Sequence, residues 1–111
     1  MGSNLPVVIE AVKVLESFLG SIISEAKKNG IRRAGDRKRI KVEVEEMYRI
    51  AKAHAIGRVS GVHLEELMKA QRQLDSYGLE KDGSLEISMV EHLHKLVKIF
   101  DKELEDFQNA I

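Results

Sequence analysis

Residues 40–51 read IKVEVEEMYRIA, and the fold class turns on whether this stretch is a strand or a helix. Its first five residues alternate apolar and charged, as a half-buried strand does. Ile40, Val44, Met47 and Ala51 also share one stripe at three- and four-residue spacing, the repeat of an amphipathic helix. A lone strand leaves its backbone hydrogen-bonding groups without a partner, whereas a helix satisfies them within the segment. Helix is therefore the expectation here, and with it an all-α fold.

Upstream, Val8, Val12, Leu15, Leu19, Ile22, Ile23 and Ala26 repeat at helical spacing. Ser3 or Asn4 is the expected N-cap, and the only proline, Pro6, sits in the first turn, where its missing N–H costs nothing. Asn29-Gly30 is expected to end this helix, with Lys27 and Lys28 at its negative pole. Residues 31–39 read as a basic connection, with Asp36 as the next N-cap. Downstream, Gly57 and Gly61 bracket an expected break, and a third helix starts at Ser60 or Gly61. Leu64, Leu67, Met68, Leu74 and Tyr77 lie on its inner side, and Gly78 is its C′ residue. Lys81-Asp82-Gly83-Ser84 has turn chemistry, and Ser84 or Ser88 caps a last helix striped by Ile87, Val90, Leu93, Val97, Phe100, Leu104 and Phe107. Helices over about residues 4–29, 37–56, 61–77 and 85–110 predict one domain over 1–111, an antiparallel four-helix bundle of up-down-up-down order. The predicted core is Leu15, Leu19, Ile22, Met47, Ala51, Leu67, Leu74, Leu93, Val97, Phe100 and Leu104.

A chain of 111 residues supports one core and needs no disulfide or metal to hold it. The absence of cysteine excludes thiol chemistry and thiolate metal sites and suits a reducing cytoplasm. No apolar run is long enough to span a bilayer, and no secretory signal opens the chain, so a soluble, cytoplasmic protein is expected. Acidic and basic residues both number 18, which leaves no net field. Their placement is uneven. Residues 27–41 carry eight basic side chains against one acid, and residues 80–111 carry eight acids against four bases.

No phosphate-binding loop, dinucleotide fingerprint, calcium loop or nucleophile elbow is present. The four histidines, His54, His63, His92 and His94, include no pair spaced to share a metal on one helix face. Neither an enzyme, nor a cofactor, nor a metal is expected. The expected function is that of a small regulatory or accessory protein whose helical surface and basic segment bind a macromolecule. Arg32, Arg33, Arg37, Lys38, Arg39 and Lys41 are the candidate partner-binding residues, since flexible cations neutralise anionic surfaces. A protein partner comes first. Nucleic acid is an alternative, although no aromatic residue interleaves with these charges to stack on bases. A homo-oligomer is another, through the acidic face around Asp101, Glu105 and Asp106.

Residues 51–75, AKAHAIGRVSGVHLEELMKAQRQLD, resemble the histidine phosphotransfer domains of bacterial phosphorelays. The matching positions are Ala53-His54, Ile56, Ser60-Gly61, Leu67 and Leu74-Asp75, while Gly57-Arg58 stands where that family has Lys-Gly. The resemblance implies a helical bundle in which His54 accepts and passes on a phosphoryl group, with Arg58 helping to neutralise it. The stripe of Met47, Ile50 and Ala51 instead places His54 inside the bundle, as a buried histidine. Gln73-Leu74-Asp75 is similar to part of the Ser-Gln-Glu-Leu-Asp core of the aspartyl-phosphate phosphatases of sporulation phosphorelays. For that segment the simpler reading is a solvated outer helix face.

Overall fold

A computed structural model describes residues 5–54 and 57–110, over 57–62 as backbone only. The elements are α1 (Leu5–Asn29), α2 (Asp36–Ala53), α3 (Gly57–Tyr77) and α4 (Ile87–Ala110). Among the described residues there is no strand, only an isolated antiparallel bridge between Leu79 and Leu85. Residues 40–51 lie wholly within α2, and Val42 decides against the strand reading. A strand puts Ile40, Val42 and Val44 on one face, but Val42 is 62% exposed while Ile40 and Val44 are buried.

All eleven predicted core residues are buried, from Leu15 in α1 to Leu104 in α4. Leu5, Val8, Val12, Ile40, Leu64, Leu85 and Val90 extend the same core. Each helix packs against its neighbours in the chain, and α4 closes against α1. Among the described residues α1 and α3 make no close backbone approach, and nor do α2 and α4. The elements thus ring one core within 50 × 25 × 17 Å. No helix among the described residues is long and apolar enough to cross a membrane.

Several helix ends differ from expectation. Gly30 ends α1 as predicted, with φ of 68° and its N–H donating to the Ala26 carbonyl at 3.0 Å. The Ser3 or Asn4 cap lies outside the described residues. Gly35, not Asp36, is the cap residue of α2, with no side chain capping it. Asp36 is instead the first helical residue, and it is buried. Residue 54 closes α2, and α3 begins at Gly57, so Gly57 and Gly61 bracket no break and the Ser60 start is not used. Gly78 has no positive φ; a Cβ there would meet the Leu74 carbonyl oxygen at 2.1 Å, so a close approach rather than a left-handed turn requires the glycine. Neither Ser84 nor Ser88 caps α4. The Glu86 carboxylate does, accepting from the Ser88 N–H at 3.2 Å and the Ser88 hydroxyl at 2.9 Å. Tyr77 and Phe107 are exposed, at 75% and 41%, because each lies beyond the last buried position of its helix.

Candidate functional site

Only residues 30–35 of the basic segment are non-helical: Lys27 and Lys28 close α1, and Arg37, Lys38, Arg39 and Lys41 stand in the first two turns of α2. The short connection is docked, not free. The Leu85 N–H donates to the Arg32 carbonyl at 3.1 Å, and the Arg32 guanidinium meets Glu80 at 3.0 Å. Arg33 pairs with Glu25 at 2.7 Å and, like Arg39, lies 3.6 Å from the buried Asp36 carboxylate. Arg39 also covers the Phe18 ring, 5.0 Å from its centroid. Arg37 donates to the Asp75 carbonyl at 2.8 Å, Lys41 pairs with the Asp75 carboxylate at 3.5 Å, and Lys27 pairs with Glu91 at 3.1 Å. Glu25, Asp36, Asp75, Glu80 and Glu91 are thus the acids set against this cluster of cations. Lys28 and Lys38 have no acidic partner among the described residues.

His54 is not inside the stripe. The stripe stops at Ala51, and His54 is the half-buried C-cap of α2, its N–H donating to the Ile50 carbonyl at 3.2 Å. The side chain of Arg58, the other residue implied by the phosphotransfer resemblance, lies outside the described residues, as does Ile56. In the stretch likened to the phosphatases, Gln73 is exposed and Leu74 is core, while Asp75 is engaged by Arg37 and Lys41. His63 on α3 pairs with Glu103 on α4. Among the described residues no three His, Asp or Glu side chains form a group that could hold a metal ion.

Two grooves bring residues singled out from sequence together with others that were not. The larger, about 830 Å³, runs between α1 and α4 past Glu16, His94, Asp101 and Glu105. Asp101 is buried at 7% exposure; its Oδ2 accepts from Lys13 at 3.3 Å, while its buried Oδ1 accepts no hydrogen bond. Lys13 also meets Glu105 at 2.5 Å, and that contact, ahead of Asp101, holds its pKa up. Burial, then the neighbouring Asp101 carboxylate, pushes the Glu16 carboxyl above the usual range. Burial, then Lys98, pushes the His94 imidazole down, against a hydrogen bond to the Glu16 main chain. This groove sets a carboxyl that holds its proton more tightly than usual near an imidazole that releases its proton more readily than usual.

The smaller groove, about 400 Å³, lies between α2 and α3 and is lined by Lys41, Glu45, Met68, Gln71, Arg72 and Asp75. Gln71 is 2% exposed, and neither its Nε2 nor its Oε1 has a hydrogen-bond partner. Gln71 was not foreseen, and Asp101, expected on an acidic outer face with Glu105 and Asp106, is buried instead; both left a signal in the sequence. Gln71 falls between Leu67 and Leu74, and Asp101 between Val97 and Leu104, at the spacing of the apolar stripes.

No family model matches this chain, and neither does any curated protein or solved structure.

Proposed function

We propose that the chain is a non-catalytic regulatory or accessory protein that binds the anionic surface of a protein partner through the basic end of its bundle. The observation that carries this reading is the first turn of α2. Arg37, Lys38 and Arg39 stand there at the positive pole of the helix dipole, answered on the helix itself only by Asp36. Like charges at that pole oppose folding, and an anionic partner relieves them. Exposed ion pairs such as Arg32–Glu80 and Arg33–Glu25 contribute little, so their cations are readily traded to a partner. In this reading the helices run up-down-up-down and antiparallel. Support comes from the ring of neighbour contacts and from α1–α4 pairing, where Lys27 meets Glu91 while Lys13 meets Asp101 and Glu105. The reading takes the cytoplasm as its compartment, since a chain without cysteine asks for no oxidising one.

The test changes Arg32, Arg33, Lys38 and Arg39 together to Ala, sparing the half-buried Arg37. Binding to a fluorescent poly-glutamate chain at low salt is expected to weaken at least tenfold, on the order of 1.4 kcal/mol, with the circular dichroism unchanged. Equal binding by a folded variant would sink the reading. The phosphorelay alternative draws support from the half-exposed His54 imidazole. An acid-labile label from phosphoramidate that vanishes in His54→Ala would bring it forward.

A further inference from the structure

Gln71 breaks the inner stripe of α3 between Leu67 and Leu74, where an apolar side chain would pack without loss. Its carboxamide is buried with donor and acceptor both unpaired, which folding opposes and no hydrogen bond within the chain offsets. The amide lies at the floor of the α2–α3 groove. The rim carries both signs of charge: Lys41 and Arg72 against Glu45 and Asp75. Its Lys41–Asp75 pair is long, at 3.5 Å, and partly exposed, so it opens at little cost. Arg37 adds a second unpaired donor, its buried Nε, beside the Asp75 carbonyl.

These features select a ligand class. Along one edge a carboxamide offers an acceptor beside a donor. In an extended polypeptide the N–H and C=O of a single residue point to the same edge and match that pair with two hydrogen bonds. A helical segment has already spent those groups within itself. The mixed rim suits a neutral main chain with its alternating dipoles and gives a phosphate no net attraction. We infer that the α2–α3 groove binds an extended segment of a partner polypeptide by its main chain, with Gln71 as the two-point anchor. The site shares Lys41 and Arg37 with the basic segment, but its anchor is Gln71 and its test leaves Arg32, Arg33, Lys38 and Arg39 intact.

The full chain, labelled with nitrogen-15, is titrated with the capped tripeptide acetyl-Ala-Ala-Ala-amide. The Gln71 side-chain NH₂ signals are expected to shift saturably, together with the backbone amides of Arg72, Asp75 and Ser76. The same tripeptide with an ester oxygen in place of its central N–H should bind at least about fivefold more weakly. Gln71→Met, which fills the same space without polar atoms, should lose the peptide-induced shifts while melting about 4 °C or more higher than the parent. Absent shifts, equal binding of the ester analogue, or a lower melting midpoint for Gln71→Met would each overturn the inference. The ester arm uses the parent protein and decides the matter even if the variant does not fold.

Discussion

Asp101 occupies a position on α4 that periodicity assigns to an apolar side chain, and Glu16 on α1 answers it across the groove. Burial first, and Asp101 second, raises the Glu16 pKa, so the folded chain holds that proton more tightly than the unfolded one. A raised acid contributes stability that is full below the ordinary glutamate range and is lost as pH climbs through the raised value. Above that window the two carboxylates repel each other. Glu16→Gln places a neutral amide beside Asp101 and removes the second charge. Its melting midpoint should therefore exceed the parent's at about pH 7, and the gap should close toward about pH 4, where both chains carry a neutral group at this position. A gap that stayed constant with pH would show that burial beside Asp101 does not raise the Glu16 pKa. Charged or amide residues at stripe positions were legible as anomalies. Which neighbour each would meet was not, because Glu16 and Asp101 are 85 residues apart in sequence.

The connection between α3 and α4 does more than reverse the chain. The Glu80 carbonyl accepts from the Gly83 N–H at 2.9 Å, Gly83 takes φ of 87°, and the Glu80 N–H donates to the Ser84 carbonyl at 2.8 Å. This is a hairpin turn that needs a left-handed residue at Gly83. Asp82 accepts from both the Ser84 hydroxyl and its N–H, which lowers the Asp82 pKa. The result drives Leu85 into the core and presents its N–H to the α1–α2 connection. Leu85→Ala should therefore cost ~2 to 5 kcal/mol in urea unfolding, whereas Leu79→Ala, across the same bridge but exposed, should cost under about 1 kcal/mol. Equal losses would mean that Leu85 does not anchor the loop. The Lys81–Ser84 turn chemistry was readable from the sequence. The cap of α4 was not, because serine competes for that role on propensity while the approach of the chain delivers Glu86 to it.

Across the bundle, equal numbers of acids and bases conceal a basic end whose cations outnumber the carboxylates facing them. Salt separates the kinds of anion this end can meet. If duplex DNA replaced poly-glutamate as the tighter ligand, log affinity would fall with log salt at a slope of about −0.9 per phosphate neutralised. The quadruple-Ala protein would then show a slope shallower by about one for each phosphate it no longer neutralises. A slope unchanged by the substitutions would remove the basic end from DNA binding. Local spacing was enough to establish the helical class, the inward stripes and the core from Leu15 to Leu104, because burial follows a period that the residue order already displays. It was also enough to show that the cations cluster. Packing had to supply the rest: the docking of that cluster on Glu80 and Leu85, the place of His54 past the end of its stripe, and the buried polar atoms of Gln71 and Asp101 that make no hydrogen bond. Each of these depends on which helix covers a given position, and contacts between residues far apart in the chain leave no trace in local periodicity.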